Sequence, residues 1–155
     1  MSDDVLSVVP ADPRWQPDEE AAERTTALVG ALVEDPDRGD AAEIDVTWHD
    51  AIAVVDCGEN LERIGCPRCG AAIDRAWWAE FVAARADDGL ADLAVRAPCC
   101  GADTSLDALD FHWPCAFARF EIAVWNPGRD RFTAEELTAL GDALGQPVRQ
   151  VLAHF

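Results

Sequence analysis

The chain has 155 residues, half of them hydrophobic (50%), a length that suits one globular domain, and no apolar run approaches the roughly 20 residues that a membrane-spanning helix requires. Its 12 Lys and Arg stand against 30 Asp and Glu, a formal net charge of -18. Nucleic acid is thereby a poor partner, because phosphate binding draws its affinity from cationic side chains, whereas a basic protein would be drawn in by the same field.

The N-terminus, Met1-Ser2-Asp3-Asp4, is acidic where a secretory signal is basic, so the expected location is the cytoplasm. Paired cysteines in a reducing compartment are metal ligands or redox groups before they are structural disulfides. Val5 to Val9 is a β-branched run ended by Pro10 and predicts a first strand. Pro17 and the acids Asp18, Glu19 and Glu20 open a helix whose stripe is Leu28, Val29, Leu32 and Val33, with Asp35-Pro36 as its stop. Ile44, Val46 and Trp48 alternate with polar residues as a half-buried strand, and His49-Asp50 is expected to turn the chain into a second strand, Ala51 to Asp56. Gly58-Glu59-Asn60 turns it again toward the first cysteines.

Asp74 is placed to cap a helix that carries Trp77, Trp78, Phe81, Val82 and Ala86 and ends at Gly89. Leu90 to Ala97 follows as an extended segment. Phe120, Ile122 and Val124 then form one face of the clearest strand, with Glu121, Ala123 and Trp125 on the other, and Asn126-Pro127-Gly128 turns out of it. Thr133 and Glu136 match a capping box before the stripe Leu137, Leu140 and Leu144; Gly145 closes that helix, and Val148 to Phe155 is a last strand. The elements predict an α+β fold with a mixed or antiparallel sheet, built from two strand-helix-strand halves, with a ferredoxin-like order as the candidate topology. A zinc-ribbon or treble-clef-like insert at about 57–115 interrupts a single domain spanning 1–155, and no sustained internal repeat is evident.

Six cysteines occur, and two motifs hold four of them: "CPRCG" with Cys66 and Cys69, and "PCCG" with Cys99 and Cys100. Two thiolates two residues apart can grip one ion, because the turn between them points both sulfurs inward and the following Gly lets the backbone fold beneath. A structural zinc ion takes four such ligands in a tetrahedron, so Cys66, Cys69, Cys99 and Cys100 are the expected set. The second motif is irregular, because adjacent residues in an extended chain point opposite ways. If only one of Cys99 and Cys100 binds, the fourth ligand is Cys57, His112 or Cys115; otherwise Cys57 and Cys115 read as small buried hydrophobes. A thioredoxin-like use of "CPRC" fits poorly, since Gly70 follows the second cysteine and the helix begins only near Asp74. Hydrolytic zinc fits poorly too: three scattered histidines supply neither HExxH nor an HxE before a cysteine pair.

The stretches "VDCGENLERIGCPRCG", "PCCGADTSLDAL", "FARFEIAVWNP" and "VRQVLAHF" together resemble a group of small, uncharacterised bacterial proteins with the same knuckle and CCG elements. That resemblance implies a bacterial origin and a shared fold, and no activity. The expected function is therefore an acidic, zinc-stabilised domain that binds a protein, in concrete form an inhibitor or immunity-type partner of a basic toxin or nuclease. Trp77 and Trp78 point to two sides of one helix, an arrangement that can divide them between core and interface, but the expected role of the pair is core packing beneath the metal insert. The alternative is an enzyme, thiol redox or zinc-dependent, with Cys57, Cys115 or His112 lining a pocket beside the metal.

Overall fold

A computed structural model of the chain describes residues 3–34, 42–58, 60–85 and 87–155. The first strand, β1 (Asp4–Pro10), is buried along nearly its whole length. Helix α1 (Glu19–Leu32) begins where the Asp18 side chain accepts the Ala21 N–H at 2.7 Å, and Glu19 and Glu20 sit in its first turn beside the positive end of the helix dipole. The expected stop at Asp35-Pro36 lies outside the described residues.

Strand β2 (Glu43–Val55) corrects the sequence reading of this region. His49-Asp50 is not a turn between two strands; it lies inside one strand of 13 residues whose register against its neighbour shifts between Trp48 and Ala53. The irregular residues keep their partners. The Gln16 amide donates to the His49 carbonyl at 3.0 Å, Arg119 donates to the Asp50 carbonyl at 3.3 Å, and His49 Nε2 meets Glu121 Oε1 at 2.9 Å. A bulge satisfies a polar pair inside a strand, and a local sequence cannot distinguish that from a turn.

The second half begins with β8 (Ala116–Trp125), continues through α3 (Ala134–Leu144) and ends in β9 (Val148–His154). The main sheet has the order β2-β8-β1-β9, and every neighbouring pair in it is antiparallel. Each strand-helix-strand half thus leaves a gap that a strand of the other half fills, the split arrangement of a ferredoxin-like sheet. Both helices cover one face. Leu6 and Val8 from β1, Phe120, Ile122 and Val124 from β8, Val29 from α1, and Leu140 and Leu144 from α3 form its core.

Residues 56–115 leave the sheet between the paired ends Val55 and Ala116. They form β3 (Arg63–Gly65), β4 (Ala72–Ile73), α2 (Arg75–Ala84), β5 (Ala94–Arg96), β6 (Asp103–Ser105) and β7 (Asp110–His112). None of these strands exceeds three residues. Their common core gathers Ile64, Ile73, Leu93 and Leu106 around Trp78, whose ring packs with Phe81, Phe111 and Phe117. A third cluster, including Val9, Val55, Cys57, Cys115 and Val151, joins this insert to the sheet. By the alternation of β1 and β9, Val9 and Val151 belong to the face away from the helices. No helix among the described residues is long and apolar enough to cross a membrane.

Candidate metal centre

Two hairpin turns build the site. In the first, between β3 and β4, the Cys66 N–H donates to the Ala71 carbonyl at 2.9 Å and the Gly70 N–H donates back to the Cys66 carbonyl at 3.0 Å. In the second, between β5 and β6, Ala97 donates to Ala102 at 2.9 Å and Gly101 donates back to Ala97 at 2.8 Å. The flanking ladders match as well: Gly65 pairs with Ala72 as Arg96 pairs with Asp103. The two turns are one backbone motif used twice, 31 residues apart from Cys66 to Ala97. Gly70 and Gly101 occupy the same place in it with φ of 76° and 72°, a left-handed conformation that a Cβ makes costly. The sequence contains the trace of this repeat in Pro67-Arg68-Cys69-Gly70-Ala71 and Pro98-Cys99-Cys100-Gly101-Ala102.

That register explains the irregular second motif. Cys100 stands where Cys69 stands, but Ala97 occupies the place of Cys66, and the displaced sulfur comes from Cys99, in the place of Arg68. Residues 98–100 are in a tight turn and not in extended chain, so adjacent side chains do not have to diverge. The Sγ atoms of Cys66, Cys69, Cys99 and Cys100 all lie within 4.8 Å of one another, with Cys66 3.9 Å from Cys100 and Cys69 3.4 Å from Cys99. Four cysteine sulfurs so gathered can hold a metal ion. All four come from hairpin turns and none from a helix terminus.

The electrostatics of the cluster favour a cation. Backbone N–H groups of Cys69 and Arg68 point at the Cys66 sulfur, the latter at 3.4 Å, and hold its thiol down to about 6. Desolvation among the crowded sulfurs, with hydrogen bonds to Cys69 and Cys66, pushes Cys99 up to about 12. Thiols this close cannot all ionise beside one another; a divalent cation removes the conflict and releases the protons. Cys66 is buried, while Cys69, Cys99 and Cys100 are exposed, so the cluster sits at the surface of the insert.

The other sequence candidates lie elsewhere. His112, in β7, turns its Nε2 to Asp110 at 3.1 Å, and Cys57 and Cys115 face each other at the junction of insert and sheet. None of the three belongs to the four-sulfur group, so the alternative ligand sets have no support in the geometry. Cys57 and Cys115 are buried as expected, but their pairing was not foreseen, although their positions beside the two ends of the insert hinted at it. Trp77 and Trp78 pack in the core of the insert as expected, Trp78 at 3% exposure and Trp77 against the same cluster, whereas Trp48, on β2, is 43% exposed.

No protein-family model, no curated protein and no solved structure matches this chain. The functional reading therefore rests on the geometry.

Proposed function

We propose that the four cysteines hold one structural zinc ion and that the domain binds a basic protein along the outer side of β2. Zinc-thiolate bonds of about 2.3 Å place tetrahedral sulfurs about 3.8 Å apart, close to the separations in the cluster, and a full thiolate shell leaves no open position for substrate. The observation that carries the binding reading is the groove between α1 and β2. It is lined by the exposed apolar side chains Val46 and Trp48, at 39% and 43%, beside Glu19 and Glu23 of α1. Strand β2 is at the end of the sheet order, and its Glu43–Trp48 half has no strand on its outer side among the described residues. A strand edge, an aromatic anchor and an acidic rim together suit an extended segment with Lys or Arg alternating with apolar residues. An inhibitor or immunity-type partner of a basic toxin or nuclease is the concrete form of this reading.

The test is an amide NMR titration of the zinc-loaded protein with a peptide of alternating basic and aliphatic residues. Shifts should concentrate in β2 and α1 and weaken as salt rises. Trp48→Ala should lower the affinity by roughly tenfold or more, the range of an interface anchor. Shifts spread evenly over the acidic surface, unchanged by Trp48→Ala, would sink the proposal.

A further inference from the structure

Beyond the four-sulfur cluster, the described residues bring together one more pair of thiols. Cys57 follows the end of β2 and Cys115 immediately precedes β8, so the two stand at opposite junctions of the same insert. Their sulfurs are 3.3 Å apart although the residues are 58 positions apart in sequence, and their exposures are 0% and 3%. Asp56 Oδ1 lies 3.9 Å from the Cys115 sulfur, and the Trp113 carbonyl lies 3.5 Å from that of Cys57. The hydrogen bond from Cys115 holds the Cys57 thiol below its ordinary range, while the same bond and then burial push Cys115 up. That shared bond makes Cys57 the more readily ionised of the two.

We infer that Cys57 and Cys115 are a reversible dithiol–disulfide pair that is oxidised by a peroxide and, once oxidised, ties the two junctions of the insert together. A peroxide is the oxidant that suits the place. It is neutral, so a chain of net charge -18 does not repel it as it repels an anionic disulfide, and it is small enough for a buried pair. A groove of about 660 Å³ bordered by Asp56, Gly58, Leu61 and Trp78 reaches the residues on either side of Cys57. The segments around the two sulfurs, 56–57 and 113–115, lie outside helix and strand, the kind of chain that opens locally without global unfolding.

In the first step the Cys57 thiolate attacks one peroxide oxygen and the O–O bond breaks. A sulfenic acid forms on Cys57, and the second oxygen leaves as hydroxide that takes the Cys115 proton to become water. The Cys115 thiolate then attacks Cys57 Sγ; the S–O bond breaks, the S–S bond forms, and the departing hydroxide becomes water with a proton from solvent. The two cysteines give up two electrons, and one peroxide becomes two waters. An excess of a low-molecular-weight thiol restores both cysteines and leaves as its own disulfide.

The test treats the metal-loaded full chain with hydrogen peroxide, alkylates the remaining thiols in denaturant, and maps the peptides while metal release is followed. The expected product has lost two hydrogens, carries a Cys57–Cys115 link, keeps its metal and is reversed by dithiothreitol. In Cys115→Ser a sulfenic acid should be trapped by dimedone at Cys57, and in Cys57→Ser none should be trapped at Cys115. If peroxide instead expels the metal and links Cys66, Cys69, Cys99 and Cys100 while Cys57 and Cys115 are recovered alkylated, the inference is wrong. It is equally wrong if the protein holds a second metal ion that disappears in Cys57→Ser, since Asp56, Cys57 and Cys115 would then be ligands. Mapping of the wild-type chain decides the matter even where a variant does not fold.

Discussion

Cys99 is the residue at which the cysteine cluster departs from the usual spacing, and it supports a two-step test. Cys99→Ala removes one of four sulfurs and should drop bound metal well below one ion per chain, read by elemental analysis. Adding Ala97→Cys to that variant should restore it, because Ala97 occupies in the second turn the place that Cys66 occupies in the first. If the double variant stays metal-free, the two turns are not equivalent in the way their hydrogen bonds imply. Spacing alone pointed to the four cysteines whose sulfurs the fold gathers. The register that lets adjacent cysteines converge was not readable, because it depends on the backbone bonds of Ala97 and Gly101 and on no side-chain pattern. Trp48 shows the same limit: alternation marks its face but cannot tell that the face projects beyond the helices.

At the scale of elements, the helix starts were the most legible features, since N-caps are local chemistry, whereas α2 stops at Ala84 and not at the expected Gly89. Thr133 and Glu136 form the predicted capping box, and Asp18 and Asp74 both cap as their positions suggest. The longer reach of these ends was invisible in sequence: Arg129 donates to Glu136 at the start of α3 and to the Leu32 carbonyl at 3.1 Å at the end of α1, locking the two helices at one corner. The hydrogen bond from Arg129 and that from the Thr133 N–H hold the Glu136 carboxyl down to about 2, against an ordinary 4.5. A carboxyl lowered in the folded state adds stability that is complete above its unfolded value and disappears as pH falls through the folded one. The wild-type advantage over Glu136→Gln, measured by urea unfolding, should therefore be constant near neutrality and vanish between about pH 4.5 and 2. An advantage that persists at the acid end would point to packing and not to charge. Thr133→Ala should cost about 1 kcal/mol, the usual loss at such a cap. Strand β2 is the counterexample among elements. His49-Asp50 carries turn-forming residues, yet Gln16, Arg119 and Glu121, all remote in sequence, hold it within a strand.

For the whole molecule, two cores of different self-sufficiency share one chain. The sheet core is continuous and covered by two helices, whereas the insert relies on strands of two or three residues, which are marginal without further support. Removing the metal with a chelator should therefore raise hydrogen exchange first across residues 61–112, while amides of β1, β8 and β9 stay protected. Uniform loss of protection would show instead that both cores melt as one unit. Acid should act on the insert in the same direction, because ligand thiols regain protons and release the ion as pH falls. The α+β class and the ferredoxin-like order were legible because each half repeats strand, helix and strand. The way the insert folds against the second face was not, since the residues joining it, such as Val9, Cys57 and Val151, are far apart in sequence.

The strand order also sets a schedule for synthesis. Each ladder of the main sheet includes β8 or β9, so none can form while the ribosome is still translating the first 115 residues. All four cysteines of the cluster precede that point and belong to turns that close over a few residues. During translation a metal ion could meet its four ligands before the sheet can form, and long-range pairing is the slow part of folding. An insert that bound its ion at that stage would be an early-formed body against which β1, long since emerged, receives its two neighbours.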